Sequence, residues 1–247
     1  MVAPLSPPRP AAFATTALIV VSFGAAMGYL EAAVVVYLRA ALELLPGAVP
    51  AHDPDTFGTF EAIEIARELA TLIMIAAVGW LAGRSRFERL AWAAVVFGLW
   101  DIVYYLGLRL AIGWPSTFDT WDVLFLVPMP WVGPVWAPIV VSAALVGFGL
   151  AAAGRLRAGR PIVVGAGRVI AALGGGGLVI LSFLVDTNRV LAGDVAPWTG
   201  WPLFWAGMAL ATVATLTALT GRSGARARPG ERLQNGSEGR PSVGTSV

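Results

Sequence analysis

Apolar residues along the chain gather into six long runs, at roughly 14–44, 61–83, 88–112, 134–153, 163–186 and 201–221, separated by short polar connections. A helix needs about 20 predominantly apolar residues to cross the hydrocarbon core of a bilayer, so each run predicts one membrane span. Between the third and fourth runs lies Trp121-Asp-Val-Leu-Phe-Leu-Val-Pro-Met-Pro-Trp-Val-Gly-Pro134, too short to cross and interrupted by prolines. Proline removes a backbone donor and breaks a helix, and irregular backbone at membrane depth persists only where protein or a wet cavity shelters it. This piece therefore reads as an interfacial or re-entrant segment roofing a cavity, with a plain outer loop as the alternative. The expected fold is all-α, a six-transmembrane helix bundle forming a single domain over 1–221.

Polar residues orient the bundle. Arginines precede the first run (Arg9) and fill the connections after the second (Arg84, Arg86, Arg89) and the fourth (Arg155, Arg157, Arg160), whereas 45–60 and 113–133 contain none and 187–200 only Arg189. The positive-inside rule then puts both termini in the cytoplasm. Trp114, Trp121, Trp198 and Trp201 fall near the expected outer boundary and Trp80 and Trp92 near the inner one, positions suited to interface anchors. The first run also resembles a signal peptide, but it continues past Glu31 to Leu45, and removing it would break the charge alternation.

Composition narrows the class. The 247 residues are 57% hydrophobic and 13% charged, against about one quarter charged in soluble domains. Residues 222–247 carry five arginines against Glu231 and Glu238, leaving 12 arginines against 13 acids elsewhere, so the basicity sits in a Gly/Ser/Arg/Pro-rich tail expected to be disordered and cytoplasmic. Nucleic acid is not an expected partner; the lipid bilayer is. The absence of cysteine excludes disulfides, thiolate nucleophiles and iron–sulfur clusters. All 17 basic residues are arginine, which excludes a retinal Schiff base and pyridoxal phosphate, and the single histidine, His52, cannot supply paired haem ligands. His52 itself, in Ala-His-Asp-Pro-Asp, reads as part of a solvated turn.

The remaining polar groups concentrate toward one face of the membrane. Glu31, Arg39 and Glu43 fall in the outer part of the first run, and Glu61, Glu64, Arg67 and Glu68 begin the second. Asp101, Tyr104, Tyr105 and Arg109 run outward along the third, Asp122 opens the proline-rich piece, and Asp186, Asn188 and Arg189 close the fifth run. At the helical period, with Glu61 at zero, Glu64 lies at about 300°, Glu68 at about 340° and Thr71 at about 280°, so the carboxylates form one stripe. Arg67 follows Glu64 by three positions and can pair with it. Gly24 and Gly28 form a small-xxx-small pair on the side of Glu31, which turns Glu31 into the bundle. Asp101, Tyr104 and Tyr105 share a face on which a phenol can donate to a carboxylate. The glycine run 174–177 suits close helix packing.

Each buried charge near the bilayer centre costs about 2.5–3.5 kcal/mol or more, so the acids need a reason. Interfacial placement or interhelical ion pairing supplies one; yet Arg39, Arg67 and Arg109 cannot neutralise all of them, and the surplus must be protonated, hydrated or bound to a cation. Glu31, Glu64, Glu68 and Asp101 are accordingly the candidate catalytic acids, and, with oxygen ligands only, the candidate ligands of a divalent cation. Arg39, Arg67, Tyr104, Tyr105, Arg109, Asp122, Asp186 and Arg189 are the candidate substrate-binding groups.

The order Glu64-Ile-Ala-Arg67-Glu68, without distant histidines, excludes the pattern of membrane glutamic endopeptidases. Trp121-Asp122 before a proline-rich stretch is similar to heterodimeric lycopene cyclases, but their Pro-x-Glu-Glu element is Pro128-Met-Pro-Trp here. Gly-Tyr-Leu-Glu31, Ala-Arg67-Glu68, Leu-Trp-Asp101-Ile-Val-Tyr-Tyr105, Trp121-Asp122-Val-Leu-Phe and Asp186-Thr-Asn together resemble uncharacterised prokaryotic integral-membrane proteins, a resemblance that implies a bacterial inner-membrane setting and no activity. Three functions compete on these residues: a membrane-embedded enzyme acting on a lipid-like substrate, a proton- or cation-coupled transporter, and a non-catalytic membrane subunit.

Overall fold

The computed structural model describes residues 12–41, 54–127, 129–194 and 196–221, giving only the backbone of 41 and 54–61. Six helices are long and apolar enough to cross a membrane, the architecture of a multi-pass membrane protein. They are α1 (Phe13–Ala41), α2 (Pro54–Ala82), α3 (Arg86–Ile112), α4 (Trp136–Arg157), α5 (Ala166–Leu184) and α7 (Trp201–Thr220), with the short α6 (Thr187–Leu191) following α5. Glu43, His52, the Glu61 side chain and the 222–247 tail lie outside the described residues.

Within this mostly helical bundle the proline-rich piece adds a small sheet. It forms a two-stranded antiparallel hairpin, β1 (Trp121–Phe125) and β2 (Trp131–Pro134), pairing Trp121 with Pro134, Asp122 with Gly133 and Val123 with Val132, and shifting register before Phe125 meets Trp131. Pro130 lies in the connection and Pro134 at the end of β2, positions where proline costs the ladder little. The hairpin is not a loose outer loop. Phe125 stacks on Phe97 and packs against Trp100, which lie 15 and 12 residues before Ile112, about 22 and 18 Å of helical rise below the end of α3.

Local signals explain the elements. Ser85 caps α3 by accepting from the Glu88 N–H at 3.3 Å, while the Glu88 carboxylate accepts from the Arg84 N–H at 3.0 Å, a reciprocal arrangement close to a capping box. At the other end Gly113 takes a left-handed φ of 72° and its N–H returns to the Arg109 carbonyl. Elsewhere the helices carry apolar side chains on their outer surfaces, as with Leu81 and Leu110, which suits lipid as solvent.

Helix α3 is the axis of the bundle, packing against α1, α2 and α4, while α5 and α7 pair with each other. Small residues allow the close crossings. A Cβ on Gly28 would lie 2.4 Å from the Trp100 carbonyl oxygen, and one on Gly98 would lie 2.4 Å from that of Ser142. Of the run 174–177, Gly175 alone faces α7 at close range, opposite Gly207.

The tryptophans divide otherwise than expected. Trp80 and Trp201 are 63% and 57% exposed, as interface anchors would be, but Trp92, Trp114 and Trp198 are 0%, 2% and 9% exposed. Trp92 donates its indole N–H to Glu88 and Trp198 to the Ser182 carbonyl, so these rings can leave the headgroup layer without stranding a donor. Trp198 instead joins Trp136, Phe183, Phe204 and Trp205 in an aromatic core between α4, α5 and α7.

Candidate functional site: an acidic cluster under the hairpin

The polar groups of α1, α2, α3 and β1 meet beneath the hairpin. Tyr104, eight residues before the end of α3 and hence about 12 Å of helical rise inside it, stands in the electrostatic field of Arg39, Arg67, Asp101 and Asp122. Arg67 bridges Glu31 of α1 and Glu64 of its own helix, the latter at 2.6 Å. Its charge also reaches Glu68, one position on, and Glu64 and Glu68 repel each other. Gly28 makes the α1–α3 contact that brings Glu31 inward, since only a residue without a side chain fits against Trp100.

Among the described residues Glu68 forms no ion pair and is held through a backbone donor instead. Both of its carboxylate oxygens accept from the backbone N–H of Leu126, at 2.9 and 3.2 Å, which fastens the hairpin connection to α2. Asp122 accepts from the Tyr105 hydroxyl at 2.9 Å, fastening β1 to α3. Burial pushes the Asp122 carboxyl up to about 6, against the opposing effects of the Tyr105 hydroxyl and the Arg39 charge. Arg39 lies over the Trp114 ring at 4.1 Å. Its Nη1 and the indole nitrogens of Trp100, Trp114 and Trp131 are buried donors without a protein acceptor among the described residues.

Asp101 is satisfied from an unexpected direction. Rather than accepting a hydrogen bond from a tyrosine of its own helix, it accepts one from the Ser142 hydroxyl of α4 at 2.8 Å. Gly98 is the physical reason: it lets the α4 backbone approach α3 at Ser142, one turn before Asp101, while Tyr105 turns to the hairpin. Asp101 still interacts with Asp122, so it belongs to the same cluster.

Three of the sequence candidates lie elsewhere or are spent. Arg109 closes the end of α3, donating to the carbonyls of Gly113 and Pro115 at 2.6 and 3.0 Å. Asp186 accepts from the N–H and hydroxyl of Thr199, both at 2.7 Å, and pairs with Arg189, which also reaches the Pro197 carbonyl. That latch orders the approach to α7. Its link with the hairpin runs through Thr187, whose hydroxyl donates to the Pro130 carbonyl at 2.7 Å.

The divalent-cation expectation for Glu31, Glu64, Glu68 and Asp101 does not match this geometry. Among the described residues no group of three or more His, Asp or Glu side chains is arranged to hold a metal ion. The physical reason is prior engagement: Glu31 and Glu64 hold Arg67, Glu68 holds a backbone N–H, and Asp101 holds Ser142.

A second polar node stands at the opposite, arginine-rich end, where the sequence suggested only boundary charges. Glu88 is buried and pairs with Arg157 of α4, which also donates to the Thr16 hydroxyl and the Ala82 carbonyl. One ion pair thus ties α1, α2, α3 and α4 together. The sequence signal for it was Ser85-Arg-Phe-Glu88, a capping pattern that fixes where the carboxylate sits. A cleft of about 880 Å3 opens at this end too, and no residue of the acidic cluster lines it.

No family model, curated protein or solved structure matches the chain.

Proposed function

We propose that this is a multi-pass protein of the bacterial inner membrane, with both termini cytoplasmic, whose acidic cluster performs acid–base chemistry on a lipid-like substrate in the extracytoplasmic half of the bilayer. The observation that carries the reading is the charge imbalance of the cluster: among the described residues, Glu31, Glu64, Glu68, Asp101 and Asp122 stand against Arg39 and Arg67. A low-dielectric site does not hold such a surplus as bare anions, so part of it carries protons that can be given and taken back. Glu68 and Glu64 are the acid/base groups, with Glu31 and Asp101 supporting them. Arg39 is the group that meets an anionic or carbonyl oxygen of the substrate, because its Nη1 is buried without a protein acceptor among the described residues. Arg67, held between two carboxylates, positions them.

Proton- or cation-coupled transport fits the same acids less well. Between Asp101 and Glu88 the buried residues of α3 are Ala91, Trp92, Val95, Val96, Gly98 and Trp100, an apolar barrier rather than a polar route to the other side.

Native mass spectrometry of the detergent-purified chain, with lipid extraction and metal analysis, tests the proposal. The expected result is a lipid-like molecule retained by the wild type and lost from a Glu64→Gln/Glu68→Gln double variant that still inserts. Unchanged retention in that variant, or retention of a partner subunit with no small molecule, would favour the non-catalytic reading.

A further inference from the structure

We infer that the cleft at the arginine-rich end binds one anionic phospholipid, with its acyl chains against α1, α4 and α7 and its phosphate on Arg155 and Arg160. Ala17 and Val21 of α1, Leu150 and Ala151 of α4 and Leu219 of α7 make its walls apolar, and Leu18 on the rim is 67% exposed. The volume of about 880 Å3 lies within the ~300–1,000 Å3 typical of small-molecule sites.

Charge selects the occupant. Arg155 and Arg160 line the cleft and no acid does. Arg155 is steadied by donating Nε–H to the Pro161 carbonyl at 3.3 Å, which leaves its two terminal amino groups for a ligand. The Arg160 guanidinium has no protein partner among the described residues, in contrast to that of Arg157, which is held by Glu88. Two guanidiniums beside an apolar slot at the end of a membrane helix match a phosphodiester with hydrocarbon tails. The 222–247 segment that follows α7 has five arginines against two glutamates, the wrong sign for this site, and a second copy of the chain would bring the same two arginines to it.

The test is native mass spectrometry of the delipidated full chain titrated with phosphatidylglycerol or phosphatidylcholine at equal concentration. The wild type retains phosphatidylglycerol about tenfold or more over phosphatidylcholine, as two interfacial arginines imply. Arg155→Gln/Arg160→Gln abolishes that preference, Ala151→Phe reduces retention of both lipids, and Glu64→Gln/Glu68→Gln leaves the phosphatidylglycerol preference unchanged, which separates this site from the acidic cluster. Equal retention of the two lipids by the wild type overturns the inference without recourse to any variant. So do an unaltered preference in the double arginine variant, displacement of the lipid by millimolar inorganic phosphate, and a lipid-free dimer in place of the adduct.

Discussion

Tyr105 of α3 donates its hydroxyl to Asp122 of β1 across 2.9 Å, a partly buried hydrogen bond that joins the central helix to the hairpin. Tyr105→Phe removes the donor and strands the carboxylate, at a cost of about 1–3 kcal/mol. Thermal melting in detergent should show the loss. Asp122→Asn in the same background should recover part of it, and a double-mutant cycle measures the coupling.

Asp122 also predicts a pH dependence. Its carboxyl titrates near 6 in the folded protein against 3.8 ordinarily, so the folded state binds its proton more tightly than the unfolded chain does. The contribution of this group to stability is therefore greatest at low pH, declines as pH rises from 3.8 to about 6, and is flat above. Melting temperatures across that window should fall for the wild type by more than for Asp122→Asn.

Glu68 separates chemistry from architecture. Glu68→Gln keeps a carbonyl oxygen that can accept from the Leu126 N–H but gives up the titratable proton, whereas Glu68→Leu loses both. We expect Glu68→Gln to melt like the wild type and to lose its bound lipid-like molecule. Glu68→Leu should loosen the hairpin and expose the 126–130 connection to protease. A wild-type cleavage pattern in the leucine variant would contradict the anchoring role.

At the other end, Glu88→Gln or Arg157→Gln alone leaves one charge buried, and the expected loss is about 3–5 kcal/mol. Replacing both at once, Glu88→Gln with Arg157→Met, should cost less than either single change. Urea or detergent-denaturation midpoints would report the difference.

Orientation can be read with single cysteines, since the chain has none of its own. Ser116→Cys should react with a membrane-impermeant maleimide added to intact cells, and Arg160→Cys only after permeabilisation. The opposite pattern would invert the proposed topology.

How far these features were legible in the sequence depends on the range of the interaction. The six spans follow from apolar runs, and the Arg67–Glu64 pair from helical spacing, because both are local. The hairpin was hidden because Pro130 and Pro134 read as breakers and the pairing of Asp122 with Gly133 is a register decision between strands. Asp101 was placed on a polar face, but its partner Ser142 depends on how α4 slides along α3, which Gly98 decides in three dimensions. Trp92 and Trp198 read as headgroup anchors because their acceptors, Glu88 and the Ser182 carbonyl, come from tertiary placement. Arg109 and Arg189 kept the chemistry of an anion site and lost the role, each being drawn to nearby carbonyls or an adjacent aspartate.

Glu68 of α2 and Thr187 of α6 hold backbone atoms of Leu126 and Pro130, four positions apart between β1 and β2. Rocking of the α5–α7 pair against the α1–α4 group therefore loads that connection together with the Trp136 contacts that join α4 to α7. A molecule wedged between the two groups is thus opposed by two ties, one polar and one aromatic.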